Sequence, residues 1–488
     1  MILVKLLYCI IGLWQSALFS SIYETALHQP ETIYSHQNEN YLLNHTLHNM
    51  EHWENEHFPI SRNASPSVPL QKKPWTFIVY MAADNDLRGF AGRNIQQMAQ
   101  VGSNDNINIL VHLDIRLSAT EKITRHYFIK DSTAIYEMNK QDPYTQSMDS
   151  GDPKTLITTC MWAARDFPAD QYALILWNHG TGTLDPSRHR ISNPLNLYHF
   201  NNDTHMLELD RSISFIDYVE RGLRGVCWDD TTGNYLTNQK LNTALAYICN
   251  NVIGKKFSII GFDACLMAMV EIGNILTPYA DMMVASQEVE MGAGWNYQSA
   301  LASFLYRSPS TGEVSNNIVR SYQNAYETIT RDYTLSSIDL SKMSKIEGNV
   351  HMVAELLCNC FDLQEKNNIT LLVKQAGSSQ VCTNFEEPTY IDLFDFYTNL
   401  LGALKKFKFK VNNQDTNSLL NSLEMIIKTG QTIILNTVTA NTTGANLRKA
   451  RGLSIYFPQK SIHPSYYATQ FAQKNSWLKL IRRCISVK

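Results

Sequence analysis

Two residues carry most of the chemical signal: a cysteine and a histidine 86 positions apart. Cys265 ends the stretch Phe257-Ser-Ile-Ile-Gly-Phe-Asp-Ala-Cys265, an apolar run bounded by Gly261 and followed by helix formers. This pattern reads as a buried strand, a tight turn and a helix opening just past the sulfur. A thiol at that point would sit at the positive end of a helix dipole, which favours the thiolate. His179 stands in a stretch of the same form, where the apolar run Tyr172-Ala-Leu-Ile-Leu-Trp177 leads directly into Asn178-His179-Gly180. In a parallel sheet, strand ends lie side by side and ligands bind at their C-terminal edge. Cys265 and His179 would meet there as a nucleophile and the base that takes its proton. Taken singly, each has a plainer reading, as a buried structural thiol and as a satisfied histidine at a strand end.

The elements that must position this pair follow from pattern and punctuation. Strands are expected at 75–82, 107–114 and, at an edge, 125–129, with helices at 87–100 and 153–166. Ser150 or Asp152 would cap the second helix, with Pro153 in its first turn. Asp84, Asn85 and Asp86 are candidate caps for the first, and the alternative for two aspartates after a strand end is to line an active site or hold a cation. Thr237 caps a helix over 238–249. Beyond the cysteine the pattern gives strands at 281–286 and 334–340, and helices within 297–332 and over 343–361, 391–404 and 418–428. Final strands are expected at 431–439 and 452–457, the last rejoining the sheet. Strands alternating with helices imply an α/β fold, with a mainly parallel β-sheet sandwiched by helices.

An apolar block ending in His-Gly, followed by one ending in Ala-Cys, resembles the caspase-like cysteine peptidases. The finer resemblance is to the clostripain family. It rests on Tyr80-Met-Ala-Ala-Asp-Asn-Asp-Leu87, Trp177-Asn-His-Gly180, Gly261-Phe-Asp-Ala-Cys-Leu-Met267, Ala285-Ser-Gln-Glu288, Gly294-Trp-Asn-Tyr297 and Gly452-Leu-Ser-Ile-Tyr-Phe-Pro458, which occur in the family's order. The resemblance implies a caspase-like fold with additional C-terminal helices and strands, and a cysteine endopeptidase acting on protein or peptide substrates. Cys265 would be the nucleophile and His179 the base, with the backbone N–H groups of Gly180 and Cys265 receiving the oxyanion. Relatives prefer Arg or Lys before the cut. Asp263 would then lie at the pocket floor, with Glu288 and Trp295 also binding substrate. Some members carry a second acid where Ala293 stands here, a departure that Glu288 or Glu290 would have to offset. Relatives mature by self-cleavage between the His and the Cys. The interval 184–224 supplies Arg188, Arg190, Arg211, Arg221 and Arg224 for this, and an unprocessed surface insertion is the alternative. No cofactor or metal is implied by the residues. Some relatives are linked to calcium, but no twelve-residue calcium loop is present.

Composition bounds the rest. The chain has 488 residues and a formal net charge of −3, which gives no reason to propose a nucleic-acid partner. Residues 1–22 combine Lys5 with an apolar segment from Leu6 to Leu18 and read as a secretory leader, so the protein is expected to be exported. An uncleaved anchor, the one route to membrane contact, and a buried first element are the alternatives. Residues 23–74 form a polar leader or pro-segment, in which His45, His48 and His52 would share one helical face. The catalytic unit is expected over 75–460, with a tail at 461–488. Of nine cysteines, Cys9 would leave with the leader and Cys265 would stay free, so the remaining seven cannot all pair within one chain. Cys358 and Cys360 read as core thiols. Two rival functions stay open: a caspase-like peptidase of other specificity, and a non-catalytic surface module on the same fold.

Overall fold

The structure, a computed structural model, describes residues 71–118, 121–131, 147–185, 197–211, 226–361, 366–408 and 414–486. The leader, the His45–His48–His52 face, Arg188, Arg190, Arg221 and Arg224 lie outside the described residues. The strands are β1 (Lys73–Ala83), β2 (Ile107–Arg116), β3 (Lys122–Phe128), β4 (Ala169–Trp177), β5 (Tyr198–Asn201), β6 (Met206–Leu209), β7 (Val226–Asp229), β8 (Asn234–Leu236), β9 (Phe257–Asp263), β10 (Ala280–Ala285), β11 (Thr334–Asp339), β12 (Tyr390–Asp392), β13 (Val438–Thr443) and β14 (Ser454–Tyr456). The helices are α1 (Arg88–Ala99), α2 (Pro153–Asp166), α3 (Asn238–Tyr247), α4 (Val270–Leu276), α5 (Tyr297–Leu301), α6 (Thr311–Tyr326), α7 (Met343–Cys360), α8 (Lys366–Ala376), α9 (Leu393–Lys408), α10 (Gln414–Thr437), α11 (Gln470–Lys474) and α12 (Trp477–Ser486).

Eight strands form one sheet in the order β13-β11-β10-β9-β4-β1-β2-β3. Its middle five, β10 to β2, are parallel, and the flanking strands run antiparallel. The parallel strands are near-continuous apolar runs because both faces are covered. Alternation along them still sorts side chains between two cores. Ile78, Tyr80, Leu174, Leu176 and Phe262 point to the face covered by α2, α3, α4 and α7. Phe77, Val79, Ala173, Ile175 and Ile259 point to the face under α1, α5 and α6. Local signals set several helix starts: Asp152 accepts from the Lys154 N–H, Thr237 from the Lys240 N–H, and Ser310 with Glu313 closes a capping box.

Three expectations change. Residues 431–437 continue α10 as helix, and the strand there is only β13. Strand β14 does not rejoin the main sheet, pairing instead with β12 in a two-stranded ribbon that touches the loop after Cys265 through a Met269–Ser454 bridge. Residues 461–486, set apart from the sequence as a tail, pack into the core. Trp477 is fully buried against Phe396 and Phe457, and its indole donates to the Tyr456 carbonyl at 2.8 Å. Cys358 and Cys360 are buried in α7, as their apolar setting suggested.

Glu271, in the first turn of α4, ties this C-terminal part down. One carboxyl oxygen accepts the Tyr456 N–H at 3.1 Å and the Tyr466 hydroxyl at 3.0 Å, and the other is buried without a partner. Burial pushes the Glu271 carboxyl up to about 7. The unfolded chain loses this proton first as pH rises. Between about pH 4.5 and 7 the folded state therefore holds a proton that the unfolded state lacks, and stability falls, on the order of 3 kcal/mol in all. Glu271→Gln is expected to melt higher than the parent at pH 8, with the gain vanishing at pH 4. Thermal melts at the two pH values check this, and an equal gain at both would mean that ionisation is not the cause.

Candidate active site

The C-terminal ends of β1, β4, β9 and β10 open on one edge of the sheet, so the loops after them converge. Strand register does the aligning. Trp177 of β4 pairs with Asp263 of β9, and His179 and Cys265 each stand two residues further on. The Asn178 N–H then donates to the Asp263 carbonyl at 3.2 Å, which extends the ladder past the strand ends. The two loops touch: a Cβ on Gly180 would collide with the Cys265 carbonyl and meet Met267 at 3.0 Å. Glycine is thus needed for the close approach of these two loops.

Asn178, quoted above only as part of a motif, is the brace of this edge. Its side-chain oxygen accepts the His179 N–H at 2.6 Å and the Trp228 N–H at 3.0 Å, and its amide donates to the Ala82 carbonyl at 2.5 Å. One buried amide therefore joins β1, β4 and β7 around the histidine. Asn85 repeats the device, donating to the carbonyls of Ala82 and Trp228.

Asp86 approaches His179 Nε2 at 2.8 Å. The capping reading of Asp84 and Asp86 fails, since α1 has no side-chain cap, and it is Asn85 that accepts the Leu87 N–H. Asp84 pairs with Arg116 at 2.7 Å and accepts the Thr231 N–H. Burial works against its charge, but these partners and Lys122 hold its carboxyl below the ordinary value. Lys122 lies in a pocket of Asp84, Asp114 and Asp229, filling with an ammonium a place where three carboxylates gather. Among the described residues no group of His, Cys, Asp and Glu is placed to hold a metal ion.

Cys265 departs from expectation. No helix opens behind it: α4 starts at Val270, with Leu266 in the left-handed region at φ 64. This turn is held by the β10 loop, through the Leu266 N–H on the Glu288 carbonyl and the Ala268 N–H on the Ser286 carbonyl. A left-handed leucine is a strained position that the packing around it must enforce. Without the helix dipole, burial pushes the thiol well up, and the nearby Glu290, Glu288 and Asp263 add to this. Sγ accepts the Glu290 N–H at 3.2 Å.

The specificity candidates separate into two groups. Asp263 is buried and accepts the Tyr297 hydroxyl at 2.7 Å and the Trp295 N–H at 3.1 Å. Burial pushes its carboxyl up to about 6. Glu290, left open as a compensating acid, is buried against Asp263, the Trp295 indole and the Ala264 backbone. Burial and the Asp263 carboxylate push Glu290 well up. Glu288 belongs elsewhere. Its carboxylate accepts the Val289 and Glu386 N–H groups and an Arg211 Nη2 at 2.7 Å, with Asp332 at 3.4 Å from the same nitrogen. Arg211 ends the described part of the β5–β6 hairpin, where Tyr198 rests its hydroxyl on the Val289 carbonyl at 3.5 Å.

A cysteine and a histidine at adjacent ends of a doubly covered, mainly parallel sheet define the caspase-like class of α/β proteins. The chain belongs to the clostripain family of cysteine peptidases, whose model matches residues 79–211 and 210–484. Clostripain from Hathewaya histolytica is 27% identical over 264 residues, which make up 49% of this chain and 43% of clostripain. An inactive zymogen C11 protease from Parabacteroides distasonis superposes with a TM-score of 0.51 at 16% identity, covering 83% of this chain and 99% of that one. A secreted C11 cysteine protease from Bacteroides thetaiotaomicron, solved with an irreversible peptide inhibitor, gives 0.51 at 18% identity over 84% and 99%. At these identities the likeness to the solved structures shows the fold.

The carboxylate on His179 Nε2 yields a direct test. Asp86→Asn is expected to lower kcat on a peptide substrate about 100-fold, by removing the group that orients the ring and stabilises its cation. The melting temperature should hold, because Asp86 lies at the rim. A variant with the parent's kcat and pH profile would remove Asp86 from the site.

Proposed function

We propose that the chain is an exported cysteine endopeptidase, acting through Cys265 and His179, that cuts after Arg or Lys and is latent until cut between those two residues. The observation that supports the catalytic reading is the shared register of β4 and β9, which brings the loop carrying Cys265 against the loop of a histidine paired to Asp86. His179 would take the Cys265 proton as the sulfur attacks the substrate carbonyl. The oxyanion would lie on the N–H groups of Gly180 and Cys265. The imidazolium would then protonate the departing amine, and water, activated by the same ring, would hydrolyse the thioester.

Specificity for a basic side chain draws support from the Asp263–Glu290 pair. Two buried carboxyls set against each other, with no cation between them among the described residues, suit a basic side chain, since a guanidinium donates to two carboxylates at once. Glu290 would thus stand in for the acid missing at Ala293. Binding one cation would draw both carboxyls towards ionisation. KM for an Arg substrate is expected to fall as pH rises through about 6, the Asp263 value, and Glu290→Gln to raise KM about tenfold or more. A panel with Arg, Lys, Asp or Asn before the cut checks this, and equal turnover of all four would discard the basic preference.

Latency is supported by the hairpin. Tyr198 sits on Val289, whose neighbour Glu290 holds the sulfur, and Arg211 latches the hairpin to Glu288 and Asp332. Arg211 is accordingly assigned to the latch, and self-cleavage to Arg188, Arg190, Arg221 or Arg224. Residues 23–488 and the same chain carrying Cys265→Ala are to be followed by gel and intact mass. Only the former should split, after one of those four arginines, and Arg211→Ala should speed the split. If both stay whole while Arg peptides are turned over, the processing reading falls alone. If turnover is also absent, the non-catalytic module becomes the better account. Export rests on the apolar segment at 6–18. Among the described residues no helix is long and apolar enough to cross a membrane.

A further inference from the structure

We propose that Tyr390 is a positioning residue for His179, contributed to the active site by the C-terminal part of the chain. The loop from Gly180 to Leu184 directly follows the histidine and has no regular secondary structure of its own. The Tyr390 hydroxyl closes it. It donates to the Thr181 carbonyl at 2.6 Å and accepts the Leu184 N–H at 3.1 Å, although Thr181 lies 209 residues away in sequence. The ring lies against the loop backbone: a Cβ on Gly182 would meet Tyr390 Cε2 at 2.7 Å, and Gly182 has φ +65. The Thr181 hydroxyl also donates to the Leu184 carbonyl at 2.9 Å within the loop, and the described ties to neighbouring segments are longer: the Thr183 N–H on Met269 Sδ at 3.3 Å and two Asn238 amide bonds at 3.2 and 3.3 Å.

Tyr390 is fully buried, and its strand pairs with β14 in the ribbon described above. The opposite strand of that ribbon grips the cysteine loop, through the Ser454 N–H on the Ala268 carbonyl at 2.9 Å and the Ser454 hydroxyl on the same carbonyl at 3.1 Å. One small ribbon therefore holds the loop after His179 on one strand and the loop after Cys265 on the other. The spacing of nucleophile and base is set by this ribbon as well as by the main sheet. Sub-ångström spacing of such a pair controls rate far more than substrate affinity. Burial pushes the Tyr390 hydroxyl well above its ordinary value, which keeps its donor in place at working pH.

The inference rests on His179 acting as the base. Tyr390→Phe in the full chain removes the hydroxyl and keeps the ring. The expected result is a kcat on an Arg peptide lowered roughly 10- to 100-fold, with KM within about twofold. Titration with a thiol-directed peptide electrophile expresses kcat per competent site, so partial unfolding does not count. The pH profile for iodoacetamide alkylation of Cys265 should also move from the parent's towards that of His179→Ala. Parent-like kcat per site and a parent-like alkylation profile in Tyr390→Phe would overturn the proposal. Should His179→Ala itself keep the parent's profile and turnover, the catalytic reading fails instead, and Tyr390 falls with it.

Discussion

The register of β4 against β9 is the constraint on which the rest of this edge depends. Side chains alternate along a strand, so a slip of one residue would turn His179 or Cys265 to the opposite face and exchange the two cores. The register is therefore held by the whole apolar run on either side, not by any contact at the site. Asn178 then converts strand alignment into side-chain alignment. Its N–H continues the ladder while its side chain fixes the histidine backbone and the neighbouring strands β1 and β7.

Around this edge of the sheet the fold gathers Asp86, Asp263, Glu288 and Glu290, and gives each a different fate. Asp86 meets the histidine, Asp263 takes an amide and a phenol, Glu288 takes Arg211, and Glu290 is buried against Asp263. Burial sets the direction for the thiol, and the surrounding carboxylates reinforce it. A neutral thiol turned to the Glu290 N–H agrees with the resting, latent form proposed for the uncut chain. Buried charges need partners, so the pairing pattern is what distinguishes these acids in role.

The C-terminal third is part of the same core. Gln287, in the loop after β10, donates to Asp392 and accepts the Gly452 N–H, and Glu271 anchors Tyr456 and Tyr466. The His179 and Cys265 loops thus both have contacts on each side, with the parallel sheet below and the β12–β14 ribbon above.

Local pattern was enough for the five parallel strands, most helices, and the cysteine and histidine at strand ends, because apolar periodicity and turn punctuation act over a few residues. It also pointed to α2 and α3 starting behind Asp152 and Thr237, where the cap and its partner lie within three positions. It misjudged Leu266 to Met269. These residues favour helix by composition, but the β10 loop takes their N–H groups and holds Leu266 in a strained conformation. It misjudged residues 431–437 for a similar reason, since β-branched residues continue a long helix once that helix is packed. What only the tertiary structure decided is which acid serves which partner. Asp86 on His179, Arg211 on Glu288 and Tyr390 on Thr181 join residues 77 to 209 positions apart. Nothing in the spacing of such residues records the strand order that brings them within hydrogen-bond distance.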